Sequence, residues 1–173
     1  QMGGHFATRT LNEDGSWKNL MADFNSSADI SPTGGQMPRL VGLAQASKVF
    51  RALPELAANM ATFTDGGNEI AVGTIGDAST SEGLFWEAMN AACVLEVPML
   101  MSVWDDGYGI SVPKKYQTVK ESISTALSGF QSEDASMGLV LYRGDGWDCP
   151  NVVATYDDAV RRCRGVDVRG WGE

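Results

Sequence analysis

Gly76-Asp77-Ala78-Ser79-Thr80-Ser81-Glu82-Gly83, followed by Asp105-Asp106-Gly107-Tyr108-Gly109, are the stretches whose reading decides the fold. Each is an acidic turn that ends a short apolar run. Ahead of the first, Glu69-Ile70-Ala71-Val72-Gly73-Thr74-Ile75 is mostly apolar and partly β-branched. That pattern suits a strand covered on both faces. Gly76 supplies a sharp turn. Ser79 and Glu82 have capping-box spacing, which predicts a helix from there through Leu95. Leu84, Ala88, Ala91, Ala92 and Leu95 then share one face. Pro98 interrupts the pattern, and Met99 to Trp104 reads as the second strand. Asp77 and Asp106 are 106 − 77 = 29 positions apart, about one strand–helix–strand unit. The expected class is α/β with a mostly parallel sheet. Both acidic turns then fall at the carboxyl ends of their strands, where open α/β sheets bind ligands.

Carboxylates so placed suit Mg²⁺, which takes one or two of them together with ligand phosphates and waters. Backbone N–H groups at a helix start near Ser79 to Glu82 suit an anion. Read from the residues alone, Asp77, Asp105 and Asp106 fit equally well as turn and cap residues, where aspartate is common.

The run from Gly76 to Pro113 resembles the thiamine diphosphate motif of 2-oxo acid dehydrogenase E1 components of the α-subunit type. The matching pieces are Gly76-Asp77-Ala78, Glu82-Gly83, Glu87-Ala88-Met89-Asn90, Val97-Pro98 and Asp105-Asp106-Gly107-Tyr108-Gly109-Ile110-Ser111. Upstream, Ser31-Pro32-Thr33-Gly34-Gly35-Gln36-Met37-Pro38 resembles the loop ahead of a buried helix, here Arg39 to Arg51. Gly3-Gly4-His5-Phe6 resembles a histidine-bearing segment near the cofactor, and Gly144 to Tyr156 resembles a following strand end and helix.

The resemblance implies a three-layer, Rossmann-like fold over residues 1–164, truncated at both ends, with residues 165–173 as a tail. It implies thiamine diphosphate and Mg²⁺ as cofactors. Asp77, Asp106 and the Tyr108 carbonyl would ligate the metal. Gly76, Ala78 and Ser79 would lie against the diphosphate. Ser31 and Thr33 would meet the rings, with Ile110 beside the cofactor and His5 as the catalytic residue in the same pocket. It implies oxidative decarboxylation of a small 2-oxo acid and acyl transfer to a lipoyl-bearing E2. The expected partner is an E1 β-type subunit or domain in a homo- or hetero-oligomer, with little activity for this chain alone. A transketolase-like enzyme and a truncated non-catalytic paralogue are the competing readings. The family pattern has glycine at position 78 and asparagine at 105 and 106, so Ala78, Asp105 and Asp106 depart from it. No later histidine loop follows, since His5 is the only histidine.

Twenty-two acidic against 13 basic residues give a net charge of −9. That excludes a basic nucleic-acid surface. No apolar run reaches the length of a membrane span. Cys93, Cys149 and Cys163 lack metal or redox spacing, an odd count that fits a reduced, cytoplasmic setting. Cys93, Trp86 and Trp104 read as core. Lys120 to Phe130 predicts a short helix, Met137 to Arg143 a third strand, and Thr155 to Arg164 a last helix. That last helix carries Val153, Tyr156, Val160 and Cys163 on its apolar side.

Overall fold

The computed structural model describes residues 10–22, 27, 32–132 and 137–165. His5, Ser31 and most of the tail from 165 lie outside the described residues. The described chain opens on a loop fixed by the bridge between Leu11 and Trp17, whose ring packs edge-on against Phe63.

Helix α1 covers Met37–Ala52, with Pro38 in its first turn, where the missing N–H costs nothing. It buries Met37, Leu40, Val41, Ala44 and Ser47. A short α2, Pro54–Asn59, follows at once. The loop after it is closed by Glu69, whose carboxylate accepts from the Thr64 hydroxyl at 2.5 Å and the Asp65 N–H at 3.1 Å. Glu69 therefore belongs to the loop, and strand β1 runs over Ala71–Gly76. A 3-10 turn, Ala78–Ser81, leads into α3, Gly83–Leu95. Strand β2, Met99–Trp104, has the expected bounds and pairs with β1 in parallel from Ala71↔Met99 to Gly76↔Trp104.

The register puts Ala71, Gly73 and Ile75 on one face with Met99, Met101 and Val103. Helices α1 and α3 cover that face. A Cβ on Gly73 would lie 2.5 Å from Leu40 Cδ2, so glycine lets α1 close on the sheet. The core gathers Met37 and Val41 of α1, Ile75 of β1, and Phe85, Ala88, Met89 and Ala92 of α3. Phe85 is wholly buried, whereas Leu84 and Leu95 are exposed. The buried face is thus rotated from the one expected, toward Phe85 and Met89, the side that meets Met37, Val41 and Ile75.

Beyond β2 come the hairpin strands β3, Tyr108–Gly109, and β4, Val112–Pro113. The expected helix over 120–130 is broken into α4, Ile123–Ala126, flanked by 3-10 turns. Ile123 and Leu127 fix it to the core. The expected third strand does not form. Leu139 makes one bridge to Gln131, while Leu139 and Leu141 pack on the core through their side chains. Gly138, at φ +125°, passes so near the Phe130 carbonyl that a Cβ would stand 2.5 Å from it. The backbone therefore follows the 128–132 loop, not the sheet.

Helix α5, Cys149–Arg164, starts earlier than expected because Asp148 caps it, accepting from the Asn151 N–H at 3.3 Å. Gly165 ends it in the left-handed conformation. The Tyr156 hydroxyl meets Ser102 Oγ at 2.5 Å, and the Cys163 thiol donates to the Met99 carbonyl at 3.5 Å. Helix α5 thus crosses the other face of β2 and makes the third layer. It does not cover β1, so Val72 stands 53% exposed, and Val153 faces solvent. Coverage of both faces holds for β2 alone.

Phe85 joins α1, α3 and the sheet in one contact region. Phe85→Ala is expected to lower the unfolding free energy by about 3–5 kcal/mol, the range for emptying a closed aromatic site. A denaturant titration followed by circular dichroism measures it.

Candidate functional site

The parallel pair brings two chain reversals side by side. The Asp77 N–H donates to the Trp104 carbonyl at 3.1 Å, so the ladder continues into the first turn. The Asp77 carbonyl accepts from the Thr80 hydroxyl at 2.6 Å and the Thr80 N–H at 3.1 Å. Those bonds tighten the 3-10 turn and hold the Asp77 side chain inward. The predicted capping box is absent: Ser79 makes no cap, and Glu82 takes the cap position of α3 without a side-chain bond.

Asp77 is only 3% exposed, yet its Oδ2 has no hydrogen-bond partner among the described residues. An unpartnered buried carboxylate oxygen is costly. Burial, and after it the charges of Asp105 and Asp106 and a side-chain contact with Asp105, push the Asp77 carboxyl above the ordinary aspartate value; the Ala78 N–H works the other way. The second turn is therefore close enough to be felt electrostatically. There, Asp105 Oδ1 accepts the Gly107 N–H at 3.1 Å and Asp106 Oδ1 the Tyr108 N–H at 3.0 Å. Two successive Asx turns set the carboxylates. Asp105 Oδ2 also pairs with Lys114 Nζ at 2.5 Å.

Among the described residues, no three acidic, cysteine or histidine side chains form a metal cage by themselves. A cation here would need backbone and ligand oxygens as well as carboxylates, which is how Mg²⁺ is usually held. The orphaned Asp77 oxygen fits that requirement.

Beside the turns lies an open cavity of about 300 Å³, lined by Thr33, Gly34, Gln36, Thr74, Ile75, Gly76, Ser79 and Trp104. Three sequence-predicted residues, Thr33, Gly76 and Ser79, are thus brought together. Asp77, Ala78, Asp106 and Tyr108 stand at the adjoining strand ends. Ile110 sits at the hairpin tip with φ +58° and a fully exposed side chain, apart from the cavity lining. Trp104 is 66% exposed, not core, and forms part of the cavity wall. Trp86 is half-buried, edge-on to Phe85.

Gln36 is not among the sequence-predicted site residues. Its Oε1 is buried without a partner among the described residues, and its residue lines the cavity. The available signal was its place between the Thr33-Gly34-Gly35 turn and Pro38. Ala78 has a structural counterpart in Gly109, where a Cβ would stand 2.6 Å from the Gln117 amide nitrogen and 2.7 Å from the Ala78 Cβ. The extra methyl at 78 is thus absorbed by a glycine in the hairpin.

Residues 10–165 match the family model described as dehydrogenase E1 component. The chain belongs to this family. A pyruvate dehydrogenase E1 component subunit alpha from Rhizobium meliloti (strain 1021) is 27% identical over 99 residues, 57% of this chain and 26% of that protein. A 3-methyl-2-oxobutanoate dehydrogenase subunit alpha from Mycobacterium tuberculosis (strain ATCC 25618 / H37Rv) is 32% identical over 100 residues, 58% of this chain and 25% of the relative. A Staphylococcus aureus (strain Mu50 / ATCC 700699) pyruvate dehydrogenase E1 component subunit alpha is 28% identical over 107 residues, 62% and 26% of the two chains. The matched stretch spans about a quarter of each relative. The E1 membership that the resemblance implies holds.

Because the Asp77 carboxyl titrates higher folded than unfolded, its contribution to stability is full below the unfolded value. It is lost as pH rises through the folded value. Asp77→Asn is expected to raise the Tm of the ligand-free chain at neutral pH by about 2–4 °C, the response of a chain this size to 1 kcal/mol. The gain should vanish below the ordinary aspartate value of 3.8. Calorimetric scans across that range check it.

Gly109→Val is expected to push the hairpin off Ala78. The added change Ala78→Gly should recover part of the lost Tm and leave the part due to the Gln117 amide, which a Cβ at 109 would also meet, at 2.6 Å; no recovery would refute the contact with Ala78.

Proposed function

We propose that this chain forms the cation- and diphosphate-binding part of a thiamine diphosphate site in a 2-oxo acid dehydrogenase E1 component. The buried, unpartnered oxygen of Asp77, facing a second acidic turn at the ends of two parallel strands, carries the reading. The family match supports the cofactor class.

In this reading Asp77 and Asp106 hold Mg²⁺ through their carboxylates, and Tyr108 offers its backbone carbonyl. Gly76 and Ser79 form the wall against which the diphosphate rests, with Ala78 beside them. Thr33 lines the same cavity and, by resemblance, would support the bend between the rings. Gln36 offers an amide whose oxygen lacks a protein partner. Ser31 and His5 join the pocket by resemblance, His5 as a proton carrier near the reacting carbon. When bound, the cofactor supplies the electron sink for decarboxylation; the chain supplies binding and orientation. The substrate is a small 2-oxo acid, and the acyl group passes to a lipoyl-bearing E2.

Large side chains exposed at the site, Trp104 and Tyr108, suit an E1 β-type partner that would cover it. The site is completed there, so the isolated chain binds cofactor without turning over.

Calorimetry should show thiamine diphosphate binding that requires Mg²⁺. Asp77→Ala should weaken it at least 10–100-fold, since even outer contacts of a metal site cost about that much. Decarboxylation of 2-oxo acids should appear only on mixing with a β-type partner. Equal binding with and without Mg²⁺, or unchanged affinity in the variant, would refute the assignment.

A further inference from the structure

We propose that Lys114 sets the charge of this site, so that it takes a divalent cation together with a diphosphate rather than a bare cation. The inference rests on the reading of Asp77 and Asp106 as cation ligands.

Three carboxylates gather at the two strand ends, where Asp105 and Asp106 both act on Asp77. Hydrogen bonds within the turns account for Asp105 and Asp106, but not for the buried Oδ2 of Asp77, which points to an absent ligand. One ammonium meets this group. Lys114 Nζ lies 2.5 Å from Asp105 Oδ2, and the Lys114 side chain is only 20% exposed. Lysine side chains are seldom held so far from water without a partner. Its backbone is anchored too, since the Lys114 N–H donates to the Gly107 carbonyl at 2.8 Å, directly after the hairpin. Lys115 takes no part; its ammonium lies 5.0 Å from the centre of the Tyr116 ring.

Formal charge then decides what the site accepts. Three carboxylates and one ammonium sum to −3 + 1 = −2. One divalent cation cancels that sum, and a diphosphate approaches a neutral surface. Without Lys114 the sum is −3, which attracts a cation more strongly and leaves a residual negative charge facing the diphosphate. Lys114 is thus a specificity-determining residue that offsets the carboxylate at 105.

The test uses the full chain and two probes. Electron paramagnetic resonance reports free Mn²⁺ as the metal is titrated alone. Calorimetry reports thiamine diphosphate added at saturating Mn²⁺. Lys114→Met should bind Mn²⁺ alone about two- to fivefold more tightly and thiamine diphosphate about two- to fivefold more weakly, the scale of one partly exposed charge pair. Asp105→Asn should move both affinities the opposite way. The double variant, Asp105→Asn with Lys114→Met, restores the sum of −2 and should return both affinities to near wild type. Lys114→Arg should behave as wild type.

A residue that only shapes the turn would weaken both probes on replacement, and Asp105→Asn would not rescue it. That outcome, or no change in either affinity while the wild type binds both, overturns the role of Lys114 and leaves the site standing. Failure of the wild-type chain to bind either probe overturns the site and the inference together.

Discussion

The parallel pairing of β1 with β2, extended one step by the Asp77 N–H to the Trp104 carbonyl, is the constraint on which the rest depends. That bond carries the ladder past the last residue of β1 and forces the chain to turn inside the molecule. Asp77 is buried as a result, 3% exposed, with one carboxylate oxygen left without a partner among the described residues. The cost of that burial falls on the ligand-free fold; in the proposed site a cation would relieve it. Every other feature follows: α3 must pack against α1 to join the strands, and the 105–109 turn must arrive beside Asp77.

Two departures from the family pattern make sense only in the folded chain. Ala78 replaces a glycine, and the space for its methyl comes from Gly109 across the turn. Asp105 adds a carboxylate beside Asp77, and Lys114 meets it from the end of the hairpin. The change at 78 is answered from the segment after the other strand, and the change at 105 from nine positions further along its own segment. The first pairing does not follow from spacing, since Ala78 and Gly109 are joined only through the whole strand–helix–strand unit.

Much of the frame was legible because it rests on short-range rules. Met99 to Trp104 is an apolar run bounded by Pro98 and two aspartates, and β2 has those bounds. Pro38 marked the start of α1. Tertiary competition decided the rest. Glu69 was drawn from the strand into the loop by Thr64 and Asp65. Ser79 lost its cap when the Thr80 hydroxyl bonded back to Asp77. The apolar run over 137–143 packs through Leu139 and Leu141 without joining the sheet. Asp148 and Pro150 marked the start of α5 but lay among turn residues that mask a cap. In the site, Asp77, Gly76, Ser79 and Thr33 were legible from motif order. Gln36 and Lys114 were not, because their significance lies in which buried oxygen or carboxylate they face.

The most direct measurement of the central claim is the position of a cation in crystals grown with Mn²⁺ and thiamine diphosphate, located by anomalous diffraction. The account predicts one strong peak within coordination distance of Asp77 Oδ2, the Asp106 carboxylate and the Tyr108 carbonyl, with diphosphate oxygens completing it. A peak that leaves Asp77 Oδ2 uncoordinated, or none at these turns with the cofactor bound elsewhere, would contradict it.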